Sequence, residues 1–237
     1  MIKIFDDLLQ LSRATSQLIC DPSQKNIAEK GSFSLLLSGG ETPRTTYELL
    51  SGNEFRSLID WERVRIFFGD ERYVPHKDKE SNFRMVSETL LHHVPLPPEN
   101  IFPISTDSTP KKDALKYEAV LKKNFPNSFP HFDLTLLGLG EDGHTASLFP
   151  HTPVLNEQSR WVKKVYLEDQ KIYRITLTPP PINASRQIVF LVSGKKKSSI
   201  LHKVLQGKKN PEELPAQLIQ GNITWMVDRE AAILLKN

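Results

Sequence analysis

Glu141, Asp142, Gly143 and His144 stand side by side in the segment FDLTLLGLGEDGHTASLFP, residues 132–150. An acid two places before an imidazole can orient the ring and tune it as a general base near neutral pH. The apolar run before them reads as a buried strand ending at Gly138, and a helix start is predicted at Thr145. Side chains just past the carboxyl end of a strand occupy the place where open α/β sheets hold their ligands. The plain alternatives are a capping or core imidazole at His144, a turn former at Asp142 and an exposed loop acid at Glu141.

Three further places carry residues that suit an anionic, oxygen-rich ligand. Ser38-Gly39-Gly40-Glu41-Thr42-Pro43 follows an apolar run. Its glycines let backbone approach an anion closely, and the next helix offers free amides and a positive dipole end. Gly69-Asp70-Glu71-Arg72 follows another such run. There Asp70 could move protons or orient a sugar hydroxyl, and Arg72 could grip an oxyanion or phosphate with two parallel hydrogen bonds. The competing reading is a solvated loop with a Glu-Arg pair and an asparagine cap at Asn82. Arg174, and a lysine of the Lys195-Lys196-Lys197 run, complete the candidates; for these a solvated surface has at least equal weight.

Other chemistries find no support in the motifs. The Ser38–Pro43 spacing is not a Walker loop, and no G-x-G-x-x-G precedes a suitably spaced acid. His92-His93 lacks an HExxH arrangement. No G-x-S-x-G elbow offers a serine nucleophile.

The chain has 237 residues, of which 38% are hydrophobic and 25% charged, enough for a normal core and a polar surface. Its net charge of +3 argues against a dedicated nucleic-acid surface. One cysteine, Cys20, rules out an internal disulfide and a cysteine-based zinc site, which fits a reducing compartment. The first residues lack a signal-peptide core, and no apolar run reaches the roughly 18 residues of a membrane span. The expectation is a cytoplasmic protein.

Periodicity and breakers predict the elements that position these loops. A helix is expected over 4–28, with Phe5, Leu8, Leu9, Ser12 and Ile19 on one face and Pro22 as a breaker. Strands are expected at 33–37, 64–68, 101–104, 134–137, 161–166, 173–177, 188–192 and 223–227. Helices are expected from Pro43 as a first helical position to Leu50, and at 83–92, 111–124, 198–205 and near the C-terminus. Residues 69–82, 95–98 and 179–181 read as loops. Strands alternating with helices indicate an α/β domain with a mostly parallel sheet covered on both faces. No repeat or linker divides the chain, so 1–237 is expected to be one domain.

LSGGETPRTTY, FFGDERYVPHKDKESNFRM, LLGLGEDGHTASLFP, YRITLTPPPINASRQIVFLVSGKKK and ITWMVDREAA, in that order, resemble the 6-phosphogluconolactonase family. That family lies within the wider glucosamine-6-phosphate isomerase/deaminase fold group. The resemblance implies a three-layer, Rossmann-like α/β fold and hydrolysis of 6-phosphogluconolactone to 6-phosphogluconate in the oxidative pentose phosphate pathway. It implies His144 as general base accompanied by Asp142, and Arg72 and Lys197 as anion-binding groups. A strained lactone needs neither metal nor cofactor nor covalent nucleophile, only a fixed phosphate, an aimed carbonyl and a deprotonated water. The phosphate is expected among Ser38, Gly39, Gly40, Thr42, Arg174 and Lys197. Whether Asp142 or Asp70 orients His144, whether Arg72 meets oxyanion or phosphate, and which lysine of the triplet works all stay open; Lys77 and Lys79 are further phosphate candidates. A small sugar phosphate is the expected partner, without nucleic acid or membrane, and a monomer is favoured. The related deaminases carry a glutamate five residues after the motif histidine, where this chain has Phe149. A non-catalytic sugar-phosphate sensor is the rival from another class; little chain precedes the first expected strand to house a DNA-binding module.

Overall fold

The structure, a computed structural model, describes residues 1–126 and 128–236. In chain order its elements are β1 (Ile2–Phe5), α1 (Leu8–Lys30), β2 (Phe33–Leu37), α2 (Glu41–Ser51), β3 (Val64–Phe68), β4 (Asp70–Arg72), α3 (Asn82–Thr89) and β5 (Ile101–Phe102). There follow α4 (Pro110–Asn124), β6 (Leu134–Gly138), β7 (Val162–Leu167), β8 (Ile172–Leu177), α5 (Pro179–Asn183), β9 (Ile188–Val192), α6 (Ser198–Gln206), β10 (Ile223–Asp228) and α7 (Arg229–Ala232). Seven strands form one sheet in the order β1-β10-β9-β6-β2-β3-β5, every pair parallel. Helices cover both faces in three layers, so central strands such as β2 and β9 are buried along their whole length. Unbroken apolar runs, FSLLL and IVFLV, are what strands with no wet face require.

From β2 the chain winds outward through β3 to β5, and from β6 it winds the other way through β9 to β10. The direction reverses between β2 and β6. Their carboxyl ends diverge there and leave the crevice in which such sheets bind ligands. A second, antiparallel sheet, β4-β8-β7, stands over it. It joins the first through Gly69, whose amide donates to Leu37 O at 2.9 Å and whose carbonyl accepts from Leu177 N at 2.8 Å.

Several expectations are corrected here. Residues Ile2–Phe5 form an edge strand, not the start of a helix, because they pair with β10. Helix α1 runs straight through Pro22. The single lost hydrogen bond is outweighed by burial of Leu11, Ser12, Thr15, Ser16, Ile19 and Cys20; Leu9 faces solvent instead. Pro43 is the third helical residue of α2, not the first, and is tolerated because first-turn amides have no helical acceptor. Residues 70–72 and 179–183 are strand and helix rather than loop. The prolines at 179–181 suit a first turn, whose donors go unused. Thr145 starts no helix. Its backbone bridges Leu148, Ala146 takes a φ of 48°, and the Thr145 hydroxyl donates to Gly138 O at 2.8 Å.

Candidate active site

At the switch point lies an open cavity of about 560 Å³. Ser38, Gly39, Gly40 and Thr42 wall one side, between the end of β2 and the start of α2. Gly40 caps α2 with a φ of 107°, a conformation that excludes side chains at little cost only for glycine. At Gly39 a Cβ would run into the Asn82 side chain, so any larger residue there would displace Asn82. The Ser38 hydroxyl is buried and has no partner among the described residues.

Asp70, Arg72 and Arg174 line the opposite side, from the second sheet. Asp70 accepts from the Ser147 hydroxyl at 2.6 Å and from the Asn82 amide at 3.3 Å. Arg72 donates to Glu80 O at 2.8 Å and lies 3.2 Å from the Glu80 carboxylate. Arg174, directly across the strand pair from Arg72, has a buried Nε without a partner among the described residues. Burial pushes its guanidinium below the ordinary arginine value, and nearby Asp70 only partly restores it. Two like charges held this close, one of them desolvated, favour an anion between or beside them.

Lys196 and Lys197 close the rim beyond β9, whereas Lys195 does not reach it. Gly194 turns the chain there at a φ of 94°, and Asp228 from the end of β10 accepts from Gly194 N at 2.9 Å and from the Ser193 hydroxyl. Burial pushes the Lys197 ammonium below its usual value against the opposing pull of Glu141 and Asp142. Lys77 and Lys79 do not line the cavity.

His144 enters from the loop after β6. Its Nδ1 lies 2.5 Å from Asp142 Oδ1, and its backbone amide donates to the same oxygen at 3.1 Å. Burial alone would raise the Asp142 carboxyl, but the hydrogen bond and charge of His144 outweigh it and the net shift is downward. With its proton held at Nδ1 by a carboxylate, a neutral imidazole presents the Nε2 lone pair. Asp70 makes no such contact, because it is engaged by Ser147 and Asn82. Geometry therefore brings Ser38, Gly39, Gly40, Thr42, Asp70, Arg72, His144, Arg174 and Lys197 to one cavity, with Asp142 behind the imidazole.

Sequence reasoning missed two supporting acids. Glu71, 1% exposed, accepts from the amides of Arg72, Asn82 and Phe83 and from the Ser81 hydroxyl. Burial pushes its carboxyl up, against these hydrogen bonds. It ties β4 to the start of α3, where Ser81, not Asn82, is the cap. Asp228 is the other. Asp228 closes the strand ITWMVD, a position whose residue type alone does not separate a turn anchor from a solvated acid.

The model of the family described as glucosamine-6-phosphate isomerases/6-phosphogluconolactonase matches residues 6–226. The chain belongs to this family. It is 41% identical over 222 residues to a 6-phosphogluconolactonase of Synechocystis, covering 90% of each chain. It is 35% identical to one of Nostoc, covering 97% of this chain and 96% of that one. Among solved structures, the 6-phosphogluconolactonase from Trypanosoma cruzi superposes with a TM-score of 0.88 at 28% identity, covering 100% and 97% of the two chains. A monomeric glucosamine-6-phosphate deaminase shares the fold at a TM-score of 0.85 and 22% identity, covering 98% and 99%. Proteins with both names thus share this architecture. Among the described residues, no cluster of three or more His, Cys, Asp or Glu side chains is arranged to hold a metal ion, and no helix is long and apolar enough to cross a membrane.

Proposed function

We propose that this chain hydrolyses 6-phosphogluconolactone to 6-phosphogluconate, as the names of its relatives state for them, with His144 as general base. The observation that carries the reading is the Asp142–His144 pair at 2.5 Å on the wall of a cavity rimmed by Arg72, Arg174, Lys196 and Lys197. A base held by a carboxylate beside a cationic pocket suits an ester that carries a phosphate.

The chemistry follows in two steps. His144 Nε2 takes a proton from water as the water oxygen bonds to the lactone carbonyl carbon, and the carbonyl electrons move to oxygen. The tetrahedral oxyanion then collapses, the bond from that carbon to the ring oxygen breaks, and His144 returns its proton to the departing oxygen. The products are a carboxylic acid, which ionises, and a hydroxyl. A positioned base contributes roughly 100- to 10,000-fold. Each donor to the oxyanion contributes roughly 100- to 1,000-fold. Arg72 and the backbone amides of the glycine loops supply such donors in this reading. The phosphate lies against the Ser38 hydroxyl, the first amides of α2, Arg174 and Lys197. Asp70, fixed by Ser147 and Asn82, accepts a sugar hydroxyl. The whole chain acts as a single-domain monomer in the cytoplasm.

Glucose-6-phosphate dehydrogenase can generate the lactone in place, and its loss is followed beside a no-enzyme control. Wild-type protein should accelerate the loss, and folded His144→Ala should be slower in kcat by roughly 100-fold or more with KM little changed. A folded wild type that gives no acceleration overturns the lactonase reading. A His144→Ala variant with normal turnover overturns the general base.

A further inference from the structure

His144 must aim Nε2 at a water, and the hydrogen bond from Nδ1 to Asp142 cannot do that alone. One hydrogen bond fixes a distance and leaves the ring free to swing about it. Two other contacts remove that freedom. The Phe149 ring stacks on the imidazole with centroids 4.1 Å apart and planes 29° apart. Gly140 comes so near the imidazole edge that a Cβ there would lie 2.1 Å from Nδ1 and 2.3 Å from Cε1. The imidazole therefore sits in a slot made of a carboxylate, a bare α-carbon and a phenyl ring.

The phenyl ring is itself firmly held. Phe149 is 8% exposed, and its carbonyl accepts from the Thr152 hydroxyl at 2.6 Å. The Arg174 guanidinium carbon lies 5.6 Å from the ring centre, within the range in which a cation is drawn to an aromatic face. One side chain thus meets both the His144 imidazole and the Arg174 cation of the anion pocket. A phenyl face also accommodates the imidazolium that forms transiently as water is deprotonated.

We propose that Phe149 is a positioning residue of the hydrolytic reaction: it acts through His144, holding the imidazole plane so that Nε2 faces the water that attacks the lactone carbonyl. The proposal rests on His144 being the base, so its test includes a measurement that needs no turnover. Phe149→Leu keeps apolar volume and removes the flat face; Phe149→Met is an unbranched second variant that fills irregular space. In a folded variant kcat should fall about tenfold, short of the roughly 100-fold or more lost with the base itself. KM should change less than about threefold, because the phosphate groups stay in place. In parallel, the His144 ring protons, assigned by their absence in His144→Ala, should lie upfield in the wild type and move downfield in both Phe149 variants as the ring current is lost.

Loss of the upfield shift together with a kcat-selective defect supports the proposal. Unchanged ring-proton shifts in Phe149→Leu overturn the stack. A lost stack with wild-type kcat overturns the positioning role. A change confined to KM in both variants overturns it too and assigns Phe149 to support of Arg174. If wild-type protein shows no lactonase activity, the functional reading fails on that result alone, while the ring-proton shifts still report whether the stack exists.

Discussion

At the scale of the residue, two charges in the cavity answer to opposite ends of the pH range. The Asp142 carboxyl is held below its ordinary value by His144, so it keeps its charge to lower pH than a free aspartate, and its worth is best exposed by removing that charge. Asp142→Asn keeps the shape but weakens the hold on Nδ1 and the support for a forming imidazolium. Turnover should fall at least about tenfold with little change in KM, as expected when a base loses its orienting acid; equal turnover would remove Asp142 from the mechanism. Lys197 works at the alkaline end. Its ammonium is pushed down by burial, so it loses its proton at lower pH than a free lysine, which titrates near ~10.4. A cation that helps to bind phosphate is present below that lowered value and gone above it. Calorimetric affinity for 6-phosphogluconate should therefore begin to fall before the pH reaches the free-lysine range. In Lys197→Met the affinity should be weaker throughout and that decline should disappear. Parallel pH profiles for the two proteins would assign the phosphate to other groups.

At the scale of the element, the cavity depends on turns that follow strands, and two of these turns are anchored by buried acids that do not line it, Glu71 and Asp228. Asp228 shows how this works. Buried at the end of β10, it accepts from the Ser193 hydroxyl, from Gly194 N and, at 2.7 Å, from Ala231 N, the cap of α7. Asp228→Ala leaves three donors unmatched and frees the Gly194 turn that carries Lys196 and Lys197. It should cost about 2–4 kcal/mol, or roughly 5–15 °C in Tm, and raise KM more than it lowers kcat. An unchanged KM in the folded variant would mean that the turn holds its shape without the acid. Such anchors were hard to read in the sequence, because a lone Asp or Glu at a strand end looks the same whether it faces water or caps a turn. Parallel strands were easy to read: runs such as FSLLL and IVFLV admit no wet face. Helix α1 ends at Lys30, two residues past the expected 28, with Gly31 at a φ of 79° as its cap. Pro22 misled because a local breaker competes with the packing of a long helix, and packing prevailed. The helix predicted at Thr145 failed for a similar reason, since Ser147 is pulled across to Asp70 and Thr176 by contacts distant in sequence.

At the scale of the whole molecule, the cavity exists only because two sheets meet over a switch point, and that meeting was not legible in advance. Three-residue β4 carries Asp-Glu-Arg, a composition that reads as loop; only its pairing with β8 makes it a strand. Once paired, it brings Arg72 beside Arg174 and sets both against the Ser38–Thr42 turn of the other sheet. Like charges gathered across two sheets repel one another, and an anion that neutralises them binds the folded chain but not the unfolded one. A ligand at 100 times its Kd stabilises the native state by about 2.7 kcal/mol, which in a chain of this size raises Tm by roughly 5–10 °C. Saturating 6-phosphogluconate should produce a rise of that order. Gluconate, which has the same hydroxyls and carboxylate but no phosphate, should produce little at the same concentration. In Arg174→Met the difference between the two ligands should shrink, because the desolvated cation that distinguishes them is gone. Equal shifts from gluconate and 6-phosphogluconate in the wild type would mean that the cationic rim does not read the phosphate. The two arginines would then be left with the oxyanion and the hydroxyls of the substrate.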